Sequence, residues 1–233
     1  MSLDAAIRWT EILLALAFIQ QSLEHSVAPR DERRLAVARL LACLPLAFGF
    51  AAPWACLALL AIGLANLRRF RGPYNGGADR MGLLVLSCLT LALFLPNERW
   101  RALAFGYLAA QLTLSYFVSG WVKIINPDWR AGIALRDVFA FSAYPVGETL
   151  RGWADHPRLL RGMSWAVIGF ELLFPLCLLT RPTLAAGLAV AATFHLANAC
   201  LFGLNRFFWI WLAAYPSLIW FQARAYGGTS SIP

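Results

Sequence analysis

Long apolar runs set the hydrophobic pattern of this chain and predict helices that cross a membrane. The hydrocarbon core of a bilayer requires about 17–25 mostly apolar residues per helix. The runs cover residues 8–24, 35–51, 53–67, 79–95, 101–123, 163–180, 182–200 and 206–222. The pattern predicts an all-α fold, a polytopic transmembrane helix bundle of about eight spans, or of seven if one short run does not cross.

The second and third runs lie in one apolar stretch, residues 36–67, which is too long for a single helix. Gly49 and Pro53 interrupt it, so we predict a helical hairpin with its break between them. The first run contains Glu11 and two glutamines. This favours a retained helix that lies partly in the membrane interface over a cleaved signal peptide.

The only long polar connection in the sequence covers residues 126–162. Its many aromatic residues are unusual for a flexible linker. They favour a short interfacial helix from Arg130 to Phe141, with Asp128 as its N-cap. No repeat or low-complexity segment divides the chain. We therefore predict one integral membrane domain over residues 1–233, with residues 126–162 as a cytoplasmic or interfacial connection.

The composition agrees with a membrane protein. Hydrophobic residues make up 60% of the chain and charged residues 14%, with a mean hydropathy of +0.62. Soluble domains average about 25% charged residues, so the chain is neither an ordinary soluble globule nor disordered. The five cysteines lie in apolar runs without CxxC or Cys/His spacing, so we predict neither a disulfide framework nor a metal site.

The net charge of +8 is informative because of where the basic residues lie. Connections near residues 25–39, 68–80, 123–161 and 201–206 hold 15 of the 20 Lys and Arg residues, and the opposite ends and loops hold 5. Basic residues favour the cytoplasmic side, which predicts cytoplasmic placement of those connections and external termini. We expect a bacterial inner membrane, contact with the lipid bilayer and no nucleic acid as partner.

Polar residues within apolar runs are costly and are candidates for function. Lys123, the only lysine, ends the fifth run, and helical spacing places Tyr116 on the same face. One interpretation is an amine desolvated enough to lose its proton and act as a base. The other is a lysine that extends its charge to the membrane boundary.

The later runs contain three more such residues. His195 and Asn198 share a helix face and can either polarise an oxygen-bearing ligand or hold two helices together by a hydrogen bond. Glu171 is either part of a site or a protonated or paired structural carboxyl group.

The turn that contains Asn75, Gly76 and Gly77 is the fourth candidate feature, with Asp79 as the predicted cap of the fourth helix. It is either part of a site or an ordinary cap and turn. At 1.5 Å per residue, Glu171 lies about 12 Å from the predicted start of its helix. All four features then fall in the cytoplasmic half of the bilayer, which predicts one shared site.

Two segments carry a resemblance to a known family. One runs from Tyr116 to Lys123 and continues to Asp128, Trp129 and Gly132, and the other contains Phe-His-x-x-Asn at residues 194–198. Together they resemble the HTTM (horizontally transferred transmembrane) family, which includes the vitamin K-dependent gamma-glutamyl carboxylase. The resemblance covers roughly residues 65–222, with a weaker similarity at residues 74–77.

The resemblance implies a quinone-accessible pocket and hydroquinone- and O2-dependent chemistry of the carboxylase or epoxidase kind. Lys123 matches the lysine that deprotonates the reduced quinone, which is the implied cofactor. His195, Asn198 and Asn75 are implied pocket residues. We assign Glu171 and Tyr116 to the same pocket from their positions. No metal is implied.

The chain also departs from that enzyme. It ends soon after the last apolar run, so we do not expect gamma-carboxylation from this chain alone. The carboxylase site faces the secretory lumen, whereas arginine bias places Lys123 on the cytoplasmic side. Either this orientation is reversed or the chemistry is redirected. The alternative function is a non-catalytic subunit or scaffold of a larger membrane complex. A transporter is less favoured because no inverted repeat is visible.

Overall fold

The computed structural model describes residues 1–25, 30–69, 76–141 and 148–226. Within these ranges the chain is helical and contains no strand, as the apolar pattern predicts. The α-helices are, in chain order, α1 (Leu3–Glu24), α2 (Arg30–Phe48), α3 (Ala52–Arg69), α4 (Gly76–Phe94), α5 (Glu98–Ile125), α6 (Pro127–Ala131), α7 (Ile133–Phe141), α8 (Glu148–Arg151), α9 (Pro157–Leu173), α10 (Arg181–Phe202) and α11 (Asn205–Tyr226). Two 3₁₀ segments, Gly152–Asp155 and Phe174–Leu179, precede and extend α9.

Each of the eight apolar runs coincides with a helix, but only some of these helices qualify as membrane spans. Four in the described residues are long and apolar enough to cross a bilayer: Gly77–Phe94, Glu98–Ile125, Pro157–Leu179 and Arg181–Phe202. The apolar helix Ala52–Arg68, which makes up nearly all of α3, is shorter. α2 carries arginines along its first three turns, and charged residues also interrupt α1. The prediction of about eight spans is therefore not confirmed.

The chain divides into two compact units. The first comprises Met1–Ala110 and Arg206–Pro233, and the second comprises Gln111–Asn205. In the first unit, α1 packs against α2, α2 against α3, and α3 against α4. In the second, α9 packs against α6 and α7, and α10 packs against the 3₁₀ segment that follows α9. The prediction of a single domain stays a prediction.

The predicted hairpin break between α2 and α3 is confirmed. The chain turns at Gly49 and Ala51, which both have positive φ angles, of 75° and 49°. The guanidinium group of Arg8 closes the end of α2, because it donates to the carbonyl oxygens of Leu46, at 2.9 Å, and of Ala47. A cation at this position satisfies carbonyl groups that have no partner within the helix.

The single interfacial helix predicted for residues 130–141 is instead two helices, α6 and α7, separated by Gly132. The predicted N-cap, Asp128, is wrong: the side chain of Asn126 accepts from the backbone N–H of Asp128 at 2.9 Å. Pro127 occupies the first helical position, where proline needs no hydrogen-bond partner, and this places the cap one residue before it. Asp79 is likewise not a cap, because it lies inside the first turn of α4.

Gly132 is the residue that allows α6 and α7 to lie against α9. Its φ angle is 81°, and a Cβ atom there would lie 2.8 Å from the backbone nitrogen of Arg161. Around this turn, Ser164 donates to the carbonyl oxygen of Trp129, and the indole of Trp165 donates to that of Arg130. A buried cluster then fixes α7 against α9 and α10; its members are Leu135, Phe139, Leu160 and Phe202.

Gly132→Ala should destabilise the protein, whereas Gly162→Ala should not. Alanine at position 132 would have to adopt the left-handed backbone conformation, which costs about 1–2 kcal/mol. Its Cβ atom would also collide with the backbone of α9. A Cβ atom at Gly162 has no atom within 4 Å, and alanine favours a helix over glycine. Thermal unfolding of the two variants in detergent tests this. Equal midpoints for the two variants would contradict it.

Candidate functional site

The only lysine of the chain forms an ion pair with Glu171 inside the second unit. Nζ of Lys123 lies 2.9 Å from Oε1 and 2.6 Å from Oε2 of Glu171, so it donates to both carboxylate oxygens. The side chains are 17% and 5% exposed. Little water reaches either group, so each charge stabilises the other, because burial of an unpaired charge is costly.

Glycine at position 120 allows this pair to form. A Cβ atom there would lie 2.7 Å from the backbone nitrogen of Leu172 and 3.0 Å from Cβ of Glu171. α5 and α9 therefore approach each other closely one helical turn before Lys123. Small residues permit such contacts between membrane helices, so Gly120 places the carboxylate within reach of the lysine.

The amine of Lys123 has two further neighbours. Its Nζ lies 5.1 Å from the ring centre of Trp129, a cation–π distance, and 3.5 Å from the carbonyl oxygen of Ser119. Trp129 belongs to α6, whose attachment to α9 therefore also positions the indole over the lysine. The charge thus faces one carboxylate and one aromatic ring.

A second polar pair includes Tyr116, which lies two turns before Lys123 on the same face of α5. The hydroxyl group of Tyr116 and Nε2 of His195 share a hydrogen bond of 2.9 Å, and both residues are buried. Phenylalanine rings surround the tyrosine: its ring centre lies 4.1 Å from that of Phe174 and 5.7 Å from that of Phe170. Phe194 packs against both Phe170 and His195. This group of five residues is called the aromatic cluster below.

The ion pair and the aromatic cluster are close but separate. Tyr116 and Lys123 are seven residues apart on α5, which corresponds to about 10 Å. Glu171 connects the two regions through sequence, since it lies directly after Phe170 and three residues before Phe174. The structure therefore brings together Lys123 with Glu171, and Tyr116 with His195.

The remaining predicted site residues have different outcomes. Asn198 lies one turn beyond His195 on α10 and is partly buried, and its carbonyl oxygen accepts from the backbone N–H of Leu204. Asn75 lies outside the described residues. Asp79 belongs to the first unit, where it accepts from the side chain of Gln21 at 3.4 Å.

The predicted depth of Glu171 in its helix is wrong. α9 begins at Pro157 rather than near residue 163, so Glu171 lies about 21 Å from the start of the helix. Proline at the first position starts the helix inside the polar connection, before the apolar run begins. The prediction that all four polar features form one site stays a prediction.

Sequence reasoning missed three contributors to this region: Trp129, Phe170 and Phe174. Trp129 belongs to the segment that carries the family resemblance, but its spacing in the sequence does not predict a contact with Lys123. The two phenylalanines precede and follow Glu171 at helical spacing, a signal that was available but is common in any apolar helix. No group of three or more metal-binding side chains is present in the residues that the structure describes.

The family model of the HTTM domain matches residues 96–223, which is more than half of the chain. The chain belongs to the HTTM family. Together with its apolar helices, this membership makes it an integral membrane protein. The matched residues include the ion pair and the aromatic cluster, but not the weaker similarity at residues 74–77. Neither a curated protein nor a solved structure matches this chain.

The Lys123–Glu171 pair should show strong coupling in a double-mutant cycle. Lys123→Met leaves a buried carboxylate without its partner and should cost about 3 kcal/mol of unfolding free energy. The double variant Lys123→Met/Glu171→Leu should recover at least half of that loss. The exposed pair Arg136–Asp137 is the control, with an expected coupling below about 1 kcal/mol. Additive effects of the two substitutions at Lys123 and Glu171 would rule out the coupling.

Gly120→Ala should separate α5 from α9 and cost about 1–3 kcal/mol, the usual range for overpacking. Gly169→Ala is the matched control on α9, because a Cβ atom there has no neighbour within 4 Å. Unfolding of both variants, measured in the same detergent, provides the comparison. A Gly120→Ala protein as stable as the control would disprove the close approach.

Proposed function

We propose that this HTTM protein is a membrane enzyme that removes a proton from a lipid-soluble hydroxyl substrate of the reduced-quinone class. The observation that carries the proposal is the ion pair of Lys123 and Glu171 between two apolar helices. Polar groups are kept in such surroundings chiefly where they serve a function. Lys123 is the base in this proposal. Glu171 stabilises the protonated amine and accepts its proton.

The pair has the chemistry that a base in an apolar site requires. A protonated amine accepts nothing, so Lys123 acts as a base only after its proton has moved away. Glu171 contacts Nζ through both oxygens and can take that proton, which leaves a neutral amine beside a neutral acid. The amine then accepts the hydroxyl proton of the substrate. The exchange adds no net charge to the pair before the substrate reacts.

The aromatic cluster fits a planar substrate. Phe170, Phe174 and Phe194 supply aromatic rings for stacking, and a ring oxygen bound beside them would take the place of the hydrogen bond between Tyr116 and His195. When bound, the reduced quinone would supply reducing equivalents and the acidic hydroxyl group, and O2 would be the oxidant. These residues would orient the ring, and Lys123 would hold the proton.

The Lys123→Arg substitution distinguishes two roles of Lys123, a catalytic base and a structural cation. Arginine retains the charge and the bidentate contact with a carboxylate, but it does not give up its proton in proteins. If Lys123 is the base, turnover of reduced menaquinone with O2 in isolated membranes should fall by about 100-fold or more. Arg136→Lys, a cation exchange at an exposed site on α7, should leave turnover within twofold of the original protein.

The outcome that removes the base proposal is undiminished turnover in the Lys123→Arg protein. Absence of quinol turnover in the original protein would remove the enzymatic proposal for this substrate class. The membrane-subunit alternative would then be favoured if a stoichiometric partner with its own redox centre copurifies in mild detergent.

A further inference from the structure

A cavity of about 270 Å³ lies within the first unit, lined by residues of α1, α2, α3, α4 and α11. Its wall is partly apolar, with Phe18, Leu59, Leu86 and Ile210 among the residues that face it. Its polar residues include two arginines, Arg39 and Arg206. Most of the wall precedes residue 96, so the family match does not account for it.

Arg39 is the unusual residue of this cavity. It is 6% exposed and lies in the interior of α2, although the arginine pattern had placed it in a cytoplasmic connection. Its Nε donates to Oγ of Ser22 at 2.9 Å. Within the described part of the chain, its two terminal nitrogens donate to no acceptor, and no carboxylate lies within 4 Å of them. The guanidinium carbon lies 6.0 Å from the ring centre of Phe18, and the group lines the cavity. Among the described residues its four terminal N–H donors meet no acceptor, so they are available to a group inside the cavity.

The second arginine adds positive charge to the same space. Arg206 on α11 lines the same cavity as Arg39. Arg206 has two partners of its own. Its Nη2 donates to Nε2 of His25 at 2.9 Å, and its Nε lies 3.6 Å from Oε2 of Glu24. Asp79 also faces the cavity, but its side chain accepts from Gln21 rather than from Arg39.

We propose that this cavity binds an amphiphile whose oxyanion head, a phosphate or a carboxylate, lies against the terminal nitrogens of Arg39. The planar guanidinium group donates two parallel hydrogen bonds to such a head. Arg206 stabilises the same negative charge from α11, and the apolar chain of the ligand lies along Leu59, Leu86 and Ile210. A free anion would leave this apolar wall uncovered, so an oxyanion joined to an apolar chain fits better.

Direct binding to the purified full chain in dodecyl maltoside tests the proposal. The probes are dioctanoyl phosphatidic acid, dioctanoylglycerol, which lacks the phosphate, and inorganic phosphate, which lacks the chains. Calorimetric titration should give saturable binding of the phosphatidic acid and at least tenfold weaker binding of the other two. Tight binding of inorganic phosphate alone would overturn the lipid part of the proposal, and tight binding of dioctanoylglycerol would overturn the oxyanion part.

Two charge variants then test the role of Arg39. Arg39→Gln should weaken the binding of phosphatidic acid at least tenfold, because it removes the donors that meet the oxyanion. Arg33→Gln is the matched control, since it removes the same charge from an exposed position of the same helix, and its affinity should stay within twofold. Equal affinities for the two variants would overturn the assignment of Arg39.

A third variant closes the cavity and leaves both arginines in place. A Cβ atom at Gly82 would lie 3.5–3.6 Å from Ile210 and Phe18, which are ordinary contacts. Gly82→Leu should therefore fold, fill the space beside them and abolish the binding of phosphatidic acid. Unchanged binding in a folded Gly82→Leu protein would show that the lipid binds elsewhere and would overturn the proposal even if Arg39→Gln does not fold.

Discussion

The need to neutralise one lysine between apolar helices governs the architecture of the second unit. Lys123 and Glu171 come from helices that are 48 residues apart in sequence at the point of contact. Glu171 is buried and Lys123 is partly buried, so the loss of either charge would leave the other without compensation. Gly120 lets the backbones approach, and the turn at Gly132 brings Trp129 back over the amine. These features are consequences of one requirement, which is to keep a buried charge paired.

The apolar pattern predicted the helices well because each run is long and is bounded by arginine, glycine or proline. It did not predict which helices qualify as membrane spans, because α1 and α2 extend beyond their apolar runs and contain charged residues. The hairpin at Gly49 was predictable because a continuous apolar stretch must break where glycine and proline allow it. The cap of α6 was also predictable, because Asn-Pro-Asp places the cap before the proline, at Asn126 rather than at Asp128.

The candidate site was predictable residue by residue but not as pairs. Spacing placed Tyr116 and Lys123 on one face of α5, and the cost of burying charge marked Glu171 and His195. Which of these residues meet depends on how helices pack, and a single sequence contains no direct record of that. The same limit explains Arg39, because the number of arginines in a segment does not reveal that one of them faces a cavity.

Lys123 and Arg39 represent two solutions to the same electrostatic problem. The amine of Lys123 meets a carboxylate supplied by the chain itself, so its charge is paired within the second unit. The guanidinium group of Arg39 cannot give up its proton, and the described chain supplies no acceptor for its terminal nitrogens. In the proposed function the paired lysine transfers a proton, whereas in the proposed cavity site the arginine binds an oxyanion. Residue type and pairing thus distinguish the proposed chemical site from the proposed binding site.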